Sequence, residues 1–242
     1  MSTLTSQPLA VRDCVSAVSE TFASVFDRIE SWRGAIEALI VQSGGSITAL
    51  EIDGLTEKLV TPSLGEPKAL IIGAGFVAAP GFLTDTDWHL AWWLGHSNTF
   101  GMGSGDPSIR RLKAEENPAS ESFRDYTALE WWRVPAATGA RHITGPYVDY
   151  LCTDDYTLTT TMPAVFDGRM IGIVGADLYV NDIERTLLPH LRATERPATI
   201  VNSSRRVVVS TDPHRATGSI LRSDVGGHSI ECDDTSLLLL LD

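Results

Sequence analysis

From Val11 to Leu39, apolar residues recur at alternating spacings of four and three: Val11, Val15, Val18, Phe22, Val25, Ile29, Trp32, Ile36 and Leu39. Such a seam predicts one long amphipathic helix from about Val11 to Gln42, with Gly44-Gly45 as its stop. Phe26 and Ile40 widen the apolar stripe beyond a strict coiled coil. The helix therefore has two expected roles, as a cover for the chain's own sheet or as the seam of a homodimer.

Past the helix the period changes. Ala69 to Ala79 (ALIIGAGFVAA) and His89 to Gly95 (HLAWWLG) read as buried strands, and Asn98 to Pro118 reads as a loop. Within that loop Gly101 to Gly105 (GMGSG) lacks the Lys-Ser/Thr ending of a phosphate cradle and the spacing of a dinucleotide fingerprint, so it is read as a turn. Thr157 to Val165 is rich in β-branched residues, Asp167-Gly168 suits a two-residue turn, and Met170 to Tyr179 returns as an apolar strand. Gly172 and Gly175 on the return strand mark a bend or a close approach of backbone. A short helix near Ile183 to Leu188 then leads to strands at Ala198 to Val201 and Arg206 to Ser210, joined by a polar turn at Asn202 to Arg205. Leu237 to Leu241 is an apolar terminus that docks or frays.

The pair Trp131-Trp132, the run Gly145-Pro146-Tyr147-Val148-Asp149, the strand Thr159 to Pro163, the Asp167-Gly168 turn and the closing Ile171 to Leu178 together resemble the Cache family of sensor domains, in their double-Cache form. The resemblance extends from about Val11 to Leu191 and is poor after Val209. It implies an α+β fold with a long N-terminal helix packed on a PAS-like antiparallel sheet, and ligand binding rather than turnover. The expected organisation is a helix over residues 1–45, a ligand-binding module over 46–192, and a second small PAS-like unit, incomplete in length, over 193–242. That tail is too short to be stable alone and is expected to lean on the first module.

A chain of 242 residues with 43% hydrophobic and 21% charged residues has ordinary globular composition and length enough for a substantial core. A formal net charge of -12 argues against nucleic acid and anionic membrane surfaces as partners, and weakly favours a cationic ligand. Cys14, Cys152 and Cys232 are odd in number and far apart, which suggests neither a disulfide framework nor a zinc site. The opening residues lack a secretory leader pattern, and no window reaches the ~18 apolar residues of a membrane span. A cytoplasmic protein starting at Met1-Ser2-Thr3 is therefore expected, the alternative being a segment of an extracytoplasmic receptor.

In amino-acid-binding Cache modules, the resemblance implies an Arg two residues before the aromatic pair, which forks onto the ligand carboxylate. Tyr and Asp in a PYxD-like element and a later Asp hold the ammonium end. Here Tyr147, Asp149 and Asp177 match the late elements and Trp131 and Trp132 match the pair, with Tyr126 as a further aromatic just upstream. The Arg position is Leu129. Losing the guanidinium fork disfavours a standard α-amino acid, because an unpaired carboxylate in a closed pocket costs several kcal/mol. Carboxylates converging with aromatic rings suit an amine or quaternary ammonium instead. Arg133 or Arg141 could supply an anion partner from another direction. Structural readings stand beside these: the Trp pair as core, Tyr147 as a turn anchor, and Asp177 as the cap of the following helix.

Enzyme signatures such as GxSxG or HExxH do not occur, and His89, His96 and His142 have no ligand spacing with Asp154-Asp155, which read as a solvated turn. No cofactor or metal is expected. The leading reading is a ligand-binding sensory module that signals through a separate protein, since no kinase, methyl-accepting or DNA-binding output is recognisable. A small hydrolase or isomerase on a PAS-like sheet, and a scaffold, are the alternatives.

Overall fold

The computed structural model describes residues 7–67, 69–98, 108–148, 153, 155–222 and 227–242. Asp149, Cys152, Asp154 and the glycine run at 101–105 lie outside the described residues. The helices are α1 (Leu9–Gln42), α2 (Ala49–Leu64), α3 (Glu130–Thr138) and α4 (Val180–Arg192). The strands are β1 (Ile71–Ala78), β2 (Leu90–Leu94), β3 (Arg110–Arg111), β4 (His142–Val148), β5 (Tyr156–Phe166), β6 (Arg169–Tyr179), β7 (Ala198–Val201), β8 (Val207–Ser210), β9 (His228–Glu231) and β10 (Leu238–Leu241). They form two antiparallel sheets, one in the order β3-β2-β1-β6-β5-β4 and one in the order β8-β7-β10-β9. The fold is the expected α+β arrangement of a long N-terminal helix on antiparallel sheets.

The seam of α1 is spent on the chain's own core. Val11, Val15, Val18, Phe22, Val25, Ile29, Trp32 and Ile36 are all buried, with Phe26 and Ile40 beside them, and Leu39 is partly buried. They pack on β5, β6, α2 and α4. The first sheet is covered on its other face too, so its strands alternate between two apolar environments. Ala74 and Phe76 of β1, Ala91 and Trp93 of β2, and Ala176 and Leu178 of β6 face the α1 core, whereas Val77, Trp92, Leu94 and Ile173 face a second cluster around Tyr126 and Trp132. Double coverage explains why β1 and β2 read as continuous apolar runs.

The β5–β6 hairpin turns at Asp167 and Gly168, both at positive φ (49° and 72°), as the Asp-Gly pair requires. A side chain at Gly175 would meet Thr160 O at 2.8 Å, so this glycine does mark a close strand approach. Two helices were not expected. α2 starts with a capping box, in which the Thr48 hydroxyl accepts from Glu51 N and the Glu51 carboxylate accepts from Thr48 N, and it carries Pro62 in its last turn. α3 carries the Trp pair and encloses Pro135. The short helix near Ile183 is longer than expected, and the apolar terminus docks as β10, an inner strand between β7 and β9.

His89, buried at the start of β2, ties α2 to the loop before α3. Its Nε2 lies 2.9 Å from Asp53 Oδ1 and its Nδ1 3.0 Å from Glu116 Oε1, and Arg111 pairs with Asp53 at 3.0 Å. Burial alone would lower the imidazole pKa, but hydrogen bonds and charge attraction from both carboxylates outweigh it and raise the pKa to about 9. Because the folded value lies above the ordinary one, this stabilisation is complete below about pH 6.5 and is lost as pH rises through about 9.

Two expectations follow from this packing. Phe22→Ala should lower unfolding free energy by about 3–5 kcal/mol in urea titration, the cost of a cavity under the sheet. Stability should fall by on the order of 2–3 kcal/mol between pH 6.5 and 9.5, and His89→Gln should flatten that profile in the same titrations.

Candidate ligand-binding site

One row of register partners crosses the first sheet at the site: Thr144 on β4 faces Thr159 on β5, Thr159 faces Asp177 on β6, Asp177 faces Gly73 on β1, and Gly73 faces Leu94 on β2. Above this row lies a cavity of about 610 Å³. A volume of this size suits a small organic ligand. Asp177 is only 2% exposed, yet its carboxylate opens on the cavity because the residue before it and the residue after it point to the α1 core. Thr159 donates to Asp177 Oδ1 at 2.7 Å, so the Tyr147 hydroxyl, 2.7 Å from Thr159 Oγ1, is the donor in that second bond. Tyr147, Thr159 and Asp177 thus form one ordered relay along the cavity floor.

The aromatic wall is placed by α3. Thr161 donates to Trp131 O at 3.0 Å, and Glu130 accepts from His142 Nε2 at 2.9 Å, which together pin the start of α3 to β5 and β4. The hydrogen bond from His142 holds the Glu130 carboxyl below its ordinary range; partial burial opposes this, and the charges of His142, Arg133 and Arg206 assist it. Trp131 lines the cavity. Tyr126 stacks behind it with ring centroids 6.2 Å apart, lies 5.2 Å from the Trp132 ring, and donates its hydroxyl to Ala78 O at 2.6 Å. Burial pushes the Tyr126 phenol well above its usual range, so it stays a proton donor.

Of the residues singled out from the sequence, the cavity brings together Trp131, Tyr147 and Asp177. Tyr126 and Trp132 stand behind the wall as its packing, and Asp149 lies outside the described residues. Asp177 does not cap α4: that helix starts after Tyr179 and has no side-chain cap bond. Leu129 lines the cavity where the resemblance would have an Arg. Neither Arg133 nor Arg141 is a lining residue; the Arg141 guanidinium sits 4.8 Å over the Phe26 ring and donates to Asp234 O.

Further polar lining comes from segments that the sequence did not assign to the site. Arg124 enters from the loop before α3, and Asn202, Ser204 and Arg206 enter from the β7–β8 turn of the second sheet. That turn is docked by the buried Asn202 amide, which donates to Gly145 O at 2.7 Å. Gly145 is at φ 105°, and a side chain there would meet Thr157 O of the neighbouring strand at 2.6 Å, so this position needs glycine. The polar turn between two apolar strands was visible; its contact with residue 145 was not. Two buried polar groups in the lining, Trp92 Nε1 and Thr144 Oγ1, have no hydrogen-bond partner among the described residues. Also among the described residues, no group of three or more His, Cys, Asp or Glu side chains converges to hold a metal ion.

The long helix on antiparallel sheets is the arrangement that the resemblance to Cache-type sensor domains implied. Residues 107–185 match the family model described as methyl-accepting chemotaxis protein-like, first PDC sensor domain. The resemblance read from the sequence is thereby borne out. No curated protein matches the chain. Among solved structures, the extracellular domain of mmHK1S-Z3 is similar with a TM-score of 0.60 at 12% identity, over 97% of this chain and 94% of that one. The periplasmic sensory domain of Campylobacter jejuni chemoreceptor Tlp1 is similar at 0.59 and 11% identity, over 96% and 92%. The sensory domain of C. jejuni chemoreceptor Tlp3, with isoleucine bound, is similar at 0.55 and 15% identity, over 99% and 91%. Among the described residues, no helix is long and apolar enough to cross a membrane.

The relay carries its own test. Thr159→Val removes the donor to a buried carboxylate and should cost about 1.5–3 kcal/mol of stability, measured by urea titration at neutral pH.

Proposed function

We propose that this chain is a small-molecule-binding sensory module whose ligand carries a cationic nitrogen. The observation that carries the reading is the Asp177 carboxylate, buried in mid-sheet, held by Thr159, and open to the same cavity as the Trp131 and Tyr147 rings. A carboxylate supplies the charge, and each aromatic face adds roughly 0.5–2 kcal/mol through its ring quadrupole. Asp149 is the second carboxylate of this reading, and Tyr126 and Trp132 serve by holding Trp131 in place. The chemoreceptor domain whose structure holds isoleucine also has to accommodate an ammonium group. In this chain Asp177 is the acid read for such a group, and Leu129 stands where the family resemblance implies an Arg fork.

The module works by binding, and its output belongs to a separate protein. Ligand favours the packing in which the cavity is closed, and a partner reads the change. With the α1 seam buried in the chain's own core, pairing between two copies along α1 would use its outward, polar face.

Asp177→Asn is nearly isosteric and should leave the melting temperature within a few degrees. It should weaken a ligand found by thermal-shift screening of amines ten- to a hundredfold in calorimetry, the equivalent of about 1.5–3 kcal/mol. Leu129→Arg should weaken a bare amine and favour a carboxylate. An Asp177→Asn protein that binds the ligand as tightly as the parent overturns the cationic reading.

A further inference from the structure

The cavity floor has a second pole. Thr144 lies in the same cross-strand row as Asp177, two strands away, which puts their Cα atoms roughly 10 Å apart. Its hydroxyl is buried, lines the cavity and has no hydrogen-bond partner among the described residues. Leaving such a group unmade is costly, so the site calls for an acceptor at this point. Arg206 lines the same cavity from the second sheet, on the turn that Asn202 fastens to Gly145, the neighbour of Thr144.

The Arg206 side chain is held in place. One terminal nitrogen donates to Gly218 O at 2.6 Å, and its backbone N donates to Asn202 Oδ1 at 2.9 Å. A guanidinium has five donors, and one used on a carbonyl leaves the rest of the fork for an anion. Glu130, a carboxylate close enough to feel the Arg206 charge, is already bonded to His142. Ser204 sits on the same turn and also lines the cavity.

We propose that the ligand is a linear dipolar molecule, with its cationic nitrogen on Asp177 and an anionic group, carboxylate or phosphate, on Arg206 and Thr144. The inference rests on the cationic reading above and adds the opposite end and the length. Poles carried by strands two apart suit charges separated by several carbons, as in an ω-amino acid, better than charges on adjacent carbons. The second sheet then contributes directly to recognition, and bound ligand spans the two sheets.

Calorimetry and thermal shift at millimolar concentration decide this with a graded series. The probes are ω-amino carboxylates from 3-aminopropanoate to 8-aminooctanoate, aminoalkyl phosphates and alkylamines of the same lengths, and L-norvaline, an isomer of 5-aminopentanoate. An affinity maximum within one of the dipolar series is expected, and the series that holds it identifies the anion. Arg206→Gln and Thr144→Val should each weaken that best compound tenfold or more while changing the matching alkylamine less than twofold. Thr144→Val should not lower the melting temperature of the unliganded protein, since it deletes an unsatisfied hydroxyl. Ser204→Glu, an exposed change that sets a competing carboxylate beside Arg206, should give the same selective loss. Dipolar compounds that bind no tighter than their alkylamines, or norvaline binding tightest, overturn this inference and leave the cationic reading standing. Binding by neither amines nor dipolar compounds overturns both.

Discussion

The middle strand of a sheet covered on both faces carries a buried acidic side chain, and most of the architecture can be understood as what that requires. β6 has β1 on one side and β5 on the other, and its residues alternate between the α1 core and the cavity. A carboxylate at the centre of such a strand would be several kcal/mol too costly without partners. The Thr159 hydroxyl supplies one of them, and Tyr147 in turn fixes that hydroxyl's direction. The apolar stripe of α1 makes the arrangement affordable, because it supplies the burial that holds the strands in register while one face is given over to a cavity. An ordinary globular domain would fill that face with side chains. Here the row Thr144, Thr159, Asp177, Gly73 descends from hydroxyls through a carboxylate to a residue with no side chain, and the space above it stays open.

How much of this was legible in the sequence depends on whether the signal was local. α1 was readable because nine apolar positions keep one period over eight turns, and the β5–β6 hairpin because Asp167-Gly168 is a strong local turn signal. α2 and α3 were not readable in the same way. Each encloses a proline, at Pro62 and Pro135, which reads as a break unless tertiary contacts override it, and α2 announces itself only through the pair Thr48 and Glu51. In the site, Trp131, Tyr147 and Asp177 were found through resemblance to a family. Arg206, Asn202 and Thr144 were not, since each joins the cavity only when segments distant in the chain come together, as the hydrogen bond between Asn202 and Gly145, 57 positions apart, brings the β7–β8 turn to β4. A polar turn in sequence says nothing about which cavity it roofs.

The segment after α4 is joined to the rest of the chain at several points. β8 packs on α4 and β4, Gln7 before α1 lies 3.1 Å from His228 on β9, and Asn202 is hydrogen-bonded to the cavity wall. The C-terminal strand β10 is an inner strand of its sheet, so the last residues are integral to that sheet and are not a fraying end.

These contacts decide what a bound molecule can change. A ligand shifts a conformational equilibrium only by the difference in its affinity for the two states, so the groups that matter are those whose distance from the ligand alters when the protein moves. Asp177, Thr159 and Tyr147 belong to one sheet and move together. The β7–β8 turn belongs to another, and its connection to the cavity wall is Asn202 on Gly145, together with the packing of β8 on β4. A ligand confined to the first sheet would therefore stabilise the sheet and leave the docking of the second nearly unaffected. One that engages residues from both sheets strengthens the junction itself, and that junction connects through α4 to α1.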